Sequence, residues 1–176
     1  MEAYDAALAN LNPLRRPSVD LPVGVRDNAL ADFQDRYGVV LPEDVRAWLR
    51  RTNGPFVDSQ AFLGISSEHN DMGAVYTLYP HWPGLGWLPV ASDGCGNHYV
   101  VCLSGRYGPN FPVLFVDHEV STDVPAYLVA SSFQISVSLF VEKEQRRTAW
   151  PFDQGVAFQL DPDLAACSSI PFPWEL

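Results

Sequence analysis

The stretch LPEDVRAWLRRTNG, residues 41–54, predicts a short helix with both of its ends specified. Pro42 fits the first helical position, because its missing N–H has no partner inside the helix there. Two acids follow in the first turn and two arginines lie in the last, which matches the helix dipole. Asn53-Gly54 predicts a left-handed cap, and Pro55 prevents continuation.

This helix has one apolar face, because Val45, Trp48 and Leu49 recur at the i, i+3, i+4 spacing. Residues 2–11 and 24–37 show the same spacing, and each segment ends shortly before a proline or at a glycine. We therefore expect a small layer of three helices.

From residue 56 the pattern changes to short apolar runs bounded by turn residues. The runs predict strands at 56–65, 75–78, 88–91, 98–103 and 113–116. The loop DGCGN, residues 93–97, is typical of a hairpin because its glycines permit positive φ. Consecutive hairpins predict an α+β fold, with a mainly antiparallel sheet covered on one face by the N-terminal helices and a C-terminal helix.

That C-terminal helix is the interpretation we favour for residues 133–147. Their apolar residues fit both a strand alternation and a helical spacing, but a serine N-cap and a charged end favour the helix. The remaining tail, 148–176, is rich in proline and acidic. We expect it to pack partly through Trp150, Phe152, Phe158 and Leu160.

Length and charge limit the function classes. A chain of 176 residues with 47% hydrophobic and 18% charged residues is large enough for one real core. The net charge of −10 argues against a nucleic-acid binder, which needs a basic surface. Residues 52–141 contain one arginine and seven acids. This excess fits either solubility alone or a basic partner.

Three cysteines without a C-x-x-C spacing indicate neither a disulfide framework nor a zinc knuckle. The acidic N-terminus lacks the features of a signal peptide, and no apolar run approaches 18 residues. We expect a cytoplasmic protein.

Three motifs in order carry a resemblance to a known family. They are the helix at 41–54, a strand with a Gly-rich turn at 87–97, and a strand ending in Asp-His-Glu at 116–119. The matching residues are Leu41, Pro42, Trp48, Leu49, Asn53 and Gly54; then Trp87, Pro89, Val90, Ala91, Asp93, Gly94, Gly96 and Asn97; then Val116, Asp117, His118 and Glu119. Over about residues 24–145 the chain resembles the SMI1/KNR4 family of the SUKH superfamily.

The resemblance implies a binding scaffold that needs no cofactor. Bacterial members of the family are similar to immunity proteins that bind a cognate toxin, often a nuclease or a deaminase. The fungal founders resemble regulatory adaptors, which is the alternative function. We divide the chain into an N-terminal helix and connector (1–23), an SMI1/KNR4-like domain (24–147) and an acidic extension packed on it (148–176).

Reactive side chains give little support to an enzyme, the third function class. Cys95, His98 and Asp117 could supply a nucleophile, a base and an orienting group, but a cysteine in a glycine turn has no cation nearby to activate it. The consecutive side chains of residues 117–119 alternate between faces of a strand, so they do not converge on one metal ion. We expect no catalytic, cofactor or metal site.

A partner surface is the site that we do predict. Trp82 lies in an uncharged segment rich in aromatic residues, proline and glycine, which is typical of interface anchors; the alternative is that Trp87 fills the core and Trp82 covers the sheet edge. The tail with Trp174 is either a second contact or a strap across the core. The predicted contact residues are Trp82, Asp93, Asn97, Asp117, Glu119 and Trp174.

Overall fold

The structure is a computed structural model that describes residues 2–11, 21–57, 60–146, 153–167 and 169–176. The helices in these residues are Glu2–Leu11 (α1), Asp27–Tyr37 (α2), Glu43–Leu49 (α3), Met72–Leu78 (α4), Trp82–Leu85 (α5), Phe133–Arg146 (α6) and Gln154–Leu160 (α7). Short 3-10 helices span Pro162–Ala166 and Pro173–Glu175. The strands are Phe56–Val57 (β1), Gln60–Phe62 (β2), Trp87–Ser92 (β3), His98–Cys102 (β4), Val113–Val116 (β5) and Tyr127–Ala130 (β6).

The six strands form one antiparallel sheet in chain order, so each strand pairs with its neighbours in sequence. The predicted α+β class is confirmed. Every residue of β4, β5 and β6 is buried, which requires cover on both faces of the sheet. The helices supply that cover.

α3 and α6 lie on the face of the sheet that carries Tyr99, which lines a cavity there with Phe133. Of the predicted three-helix layer, α2 packs instead on α4, where the Phe33 and Tyr76 rings lie 6.0 Å apart. Trp48 of α3 packs edge-on to Phe133 of α6, with ring centroids 6.1 Å apart, and contacts the Phe62 ring at 5.2 Å. The opposite face carries His98, because neighbouring side chains of a strand alternate. The α4–α5 segment packs on that face, where the Trp82 ring lies 5.6 Å from His98.

The predicted C-terminal cap of α3 was wrong, since the helix ends at Leu49 and the next residue keeps right-handed φ and ψ. The Asn53 amide instead makes two hydrogen bonds to Ile65: it accepts from the backbone N–H at 2.7 Å and donates to the backbone oxygen at 3.0 Å. Gly54 does adopt a left-handed φ of 74°. The Asn-Gly pair therefore fixes the loop that follows β2.

The predicted strand at 75–78 was also wrong, because these residues form the last turns of α4. The Asp71 side chain caps this helix by accepting from the N–H of Ala74 at 2.8 Å. Met72, Val75 and Tyr76 lie on its buried side at the i, i+3, i+4 spacing. A cap followed by that spacing is a helix signal.

The predicted helix after residue 132 is confirmed as α6, and Asp44 of α3 tethers its start. The Asp44 carboxylate accepts from the N–H of Gln134 at 3.1 Å. Burial raises the pKa of this carboxyl, and the backbone N–H donors around it oppose the rise. This partly buried hydrogen bond helps to hold α3 and α6 together.

The C-terminal extension folds back onto the end of β6. Asp161 is 1% exposed, and its carboxylate accepts from both the backbone N–H and the hydroxyl of Ser131, at 2.7 and 2.6 Å. Of the side chains predicted to pack, Phe158 is partly buried and Leu160 is 38% exposed. Trp150 and Phe152 lie outside the described residues.

Candidate protein-binding surface

Two loops leave the sheet at the same end. The β3–β4 loop and the β5–β6 loop share this end because successive antiparallel strands run in opposite directions. We call residues 93–97 and 117–124 together the loop-end surface. Four of the six predicted contact residues lie on it: Asp93, Asn97, Asp117 and Glu119.

Asp93 organises the first loop from the inside. Its Oδ1 accepts from the backbone N–H groups of Cys95 and Asn97, at 2.8 and 3.1 Å. Its Oδ2 accepts from the Asn97 side-chain amide at 2.8 Å. Both side chains are half-buried, so part of each is available to a partner while the rest holds the turn.

Asn97 also joins the first loop to the second. Its Oδ1 accepts from the backbone N–H of His118 at 3.1 Å and from the His118 ring at 2.7 Å. Gly96 permits this approach, because a Cβ there would lie 2.8 Å from Cε1 of His118. Its φ of 100° also disfavours other residues. The two loops therefore form one connected unit.

The second loop is a tight turn with its acids outward. Asp117 accepts from the N–H of Glu119 at 3.0 Å. The Ser121 hydroxyl donates to Asp123 at 2.8 Å and accepts from the N–H of Val124 at 3.1 Å. Glu119 and Asp123 are exposed, and Asp117 is half-buried.

Trp82 is completely buried, so the prediction that its side chain anchors a partner directly was wrong. Its indole N–H donates to the backbone oxygen of Thr122 at 2.7 Å, and its ring stacks on Tyr79 at 4.3 Å. The His81 ring donates to the same oxygen at 3.1 Å. The aromatic segment therefore supports the second loop from beneath. Trp87, 2% exposed, fills the core as the alternative interpretation held.

His98 lies beneath the same surface, and its burial alters the pKa of its imidazole. Burial lowers the pKa of its imidazole below the ordinary 6.5, while Asp93 opposes this shift and His118 adds to it. Its ring is 8% exposed and edge-on to Tyr79 at 5.5 Å. The fold thus favours neutral His98.

Acidification should therefore destabilise the fold through His98. The unfolded chain binds a proton near pH 6.5, whereas the folded chain binds one only at lower pH. The contribution of neutral His98 to the free energy of unfolding is fully present above the unfolded-state pKa. It is lost as the pH falls towards the folded-state pKa. In urea unfolding between about pH 7.5 and 5, we expect His98→Gln to lose less stability than the wild type. An equal loss in both proteins would contradict this assignment.

Trp174 is half-buried in a small aromatic cluster on the β6 side of the sheet. Its ring stacks on Phe172 at 5.1 Å and lies 5.6 Å from Phe158. Pro171 accepts a hydrogen bond from the N–H of Leu128 in β6 at 2.9 Å. The tail therefore lies along the sheet edge, and a partner contact by the exposed part of Trp174 stays a prediction.

The reactive residues named from the sequence do not form a catalytic arrangement of nucleophile, base and orienting group. Cys95 is exposed, His98 is buried, and Asp117 is engaged by the Glu119 backbone. In the part of the chain that the structure describes, no side chain of serine, threonine or cysteine hydrogen-bonds to a histidine ring, and Thr122 meets the His81 ring only through its backbone oxygen. The same residues contain no group of three or more His, Cys, Asp or Glu side chains placed to hold a metal ion.

A groove of about 490 Å³ lies away from this surface, between α2 and the loop at 66–70. Asp32, Arg36 and His69 contribute to its lining. Asp71, also at the groove, uses one carboxylate oxygen to cap α4 and the other to accept from the N–H of Ser67 at 3.0 Å. The groove thus brings together charged side chains without pairing a nucleophile with a base.

The loop-end surface is strongly acidic. Residues 93–97 and 117–124 contain Asp93, Asp117, Glu119 and Asp123 and neither lysine nor arginine. The predicted contact residues did not include Asp123 or its neighbours Val120 and Val124. The residues STD at 121–123 are nevertheless typical of an exposed turn.

The sequence model of the SMI1 / KNR4 family (SUKH-1) matches residues 24–136, well over half of the chain. The chain belongs to the SMI1/KNR4 family. The matched SUKH-1 range runs from just before α2 to the first turn of α6 and includes the whole loop-end surface. No curated protein is similar enough in sequence to match. Among the described residues, no helix is long and apolar enough to cross a membrane.

Proposed function

We propose that this SUKH-1 chain is a protein-binding domain that acts as a bacterial immunity protein. In this role it binds a cognate toxin of the nuclease or deaminase class in the cytoplasm and blocks it without catalysis. The family membership supports a binding role. The observation that carries the proposal is the loop-end surface, where four carboxylates occur on two joined loops without a lysine or arginine.

The charge of this surface complements the proposed partner. An enzyme that acts on nucleic acid needs positive potential to attract phosphates. A negative surface on the inhibitor then steers the encounter and competes for the same basic region. The internal hydrogen bonds of the loops hold the carboxylates of Asp93, Asp117 and Asp123 in place before binding, which reduces the ordering cost on association.

The direct test is growth rescue. The neighbouring gene is the expected source of the toxin, so its product is expressed in a sensitive host with and without this chain. We expect the toxin alone to stop growth, co-expression of this chain to restore it, and the two purified proteins to form a complex. Failure of both rescue and complex formation would refute the immunity function, and complexes with signalling proteins instead would favour the adaptor.

Electrostatic steering predicts a salt dependence. Raising the ionic strength from about 20 to 150 mM should slow association by about tenfold, because screening shortens the reach of the acidic surface. Stopped-flow measurement with the purified toxin tests this. Glu119→Lys should slow association at low salt, whereas Glu68→Lys, an exposed acid outside the surface, serves as the matched control. A rate that does not change with salt would exclude steering.

A further inference from the structure

Two apolar side chains project from the second loop of the acidic surface. Val120 is 80% exposed and Val124 is 62% exposed. They flank the turn that Ser121 organises, and each follows an exposed acid, Glu119 or Asp123. Single exposed valines are ordinary on a protein surface. Two on one short turn, alternating with acids, make a compact apolar and anionic patch.

The turn that carries the valines is held rigidly. Thr122, midway between them, has its backbone oxygen bound by the side chains of both Trp82 and His81. The backbone N–H of Val120 donates to the backbone oxygen of Asp117 at 3.1 Å. Because these bonds exist in the free protein, burying the two side chains against a partner costs little further ordering.

The charges around the valines indicate what can cover them. An entirely apolar partner would leave Glu119 and Asp123 desolvated without counter-charges, which is costly. A partner that places lysine or arginine around an apolar centre satisfies both the acids and the valines. Apolar cores inside polar rims are the usual anatomy of protein interfaces.

We propose that Val120 and Val124 are the apolar anchors of the toxin interface, and that they meet an apolar patch bordered by Lys or Arg side chains. This inference rests on the proposed function and specifies the partner's contact chemistry. Asp93, Asn97 and Trp82 then act as positioning residues that hold the anchors and their flanking acids in place.

The experiment measures the contribution of the two valines separately from that of the acidic side chains. The probe is the neighbouring-gene toxin, inactivated at its catalytic centre, and the variant is Val120→Ser with Val124→Ser, which leaves every charge in place. We expect dissociation to accelerate about tenfold or more while association changes little, because burial acts mainly on the lifetime of the complex. Glu119→Gln with Asp123→Asn should instead slow association, and added salt should reduce that difference.

The matched control is Val40→Ser. Val40 is 77% exposed and lies near Gly86 and Leu103, at the opposite end of the sheet. We expect this control to bind like the wild type.

If the wild type binds the toxin but the double serine variant dissociates no faster than the control, the anchor inference is overturned and the immunity function stands. If the wild type itself does not bind, both are overturned. A double variant that changes the oligomeric state in sedimentation would show that a second copy covers the patch, which also overturns the inference.

Discussion

Replacing Trp82 with alanine should lower the free energy of unfolding by about 3–5 kcal/mol, which is the usual cost of deleting a buried aromatic side chain. The whole indole is inaccessible to solvent, and it packs against Tyr79, Trp87 and His98. Its loss also removes the hydrogen bond to Thr122 that supports the second loop. Urea unfolding, followed by circular dichroism, measures the effect.

Two companion variants separate the roles of Trp82. Trp82→Phe retains much of the ring but removes the N–H donor, so we expect a smaller loss of stability together with faster amide exchange around Thr122. Leu78→Ala removes an apolar side chain of the same segment that is 65% exposed, and it should change stability by less than about 0.5 kcal/mol. If Trp82→Ala were as mild as Leu78→Ala, the buried position of the indole would be wrong.

Replacing Asp161 with alanine should lower the free energy of unfolding by about 2 kcal/mol, because it leaves the N–H and hydroxyl of Ser131 without their acceptor in a buried site. The removed carboxylate no longer has to be desolvated, which offsets part of the loss. We also expect residues 153–176 to become more sensitive to limited proteolysis, since Asp161 tethers this segment to the start of α6.

Asp163→Ala is the matched control for this prediction. Asp163 is exposed and only two residues away, so its removal should leave both the stability and the cleavage pattern nearly unchanged. Ser131→Ala removes one of the two bonds and should give an intermediate effect. Equal behaviour of the Asp161 and Asp163 variants would contradict the tether.

The sequence was most informative where local signals and burial agree. Residues 41–54 predict α3 because an acidic first turn and an apolar stripe occur together, although the predicted Asn53-Gly54 cap lies beyond the end of the helix. The DGCGN turn predicts the β3–β4 hairpin. The Val75–Leu78 run was misassigned as a strand because its four residues, VYTL, fit a strand locally. The cap at Asp71 and the i, i+3, i+4 spacing of Met72, Val75 and Tyr76 distinguish the helix. β6 was not among the predicted strands, although its apolar run YLVA at 127–130 resembles the run VLFV at 113–116, which was predicted as a strand.

The candidate surface was predictable in its charge but not in its geometry. Asp93, Asp117 and Glu119 were recognisable as an acidic group, yet the bond from His118 to Asn97 depends on the strand order, which no local pattern specifies. Trp82 shows the same limit. Its uncharged surroundings, read as an exposed loop, are instead a short helix ended by Gly86 with a left-handed φ of 68°. Only tertiary packing decides which way that indole points.

The meander order of the sheet has an evolutionary consequence. Each strand pairs only with its chain neighbours, so the β5–β6 connection can be lengthened or rewritten without rethreading any other part of the polypeptide. Such insertions cost little free energy, because the entropy cost of closing a loop rises by only about 0.6 kcal/mol for each doubling of its length. Sequence changes at this rim of the molecule can therefore leave the strand pairing that stabilises the framework unchanged.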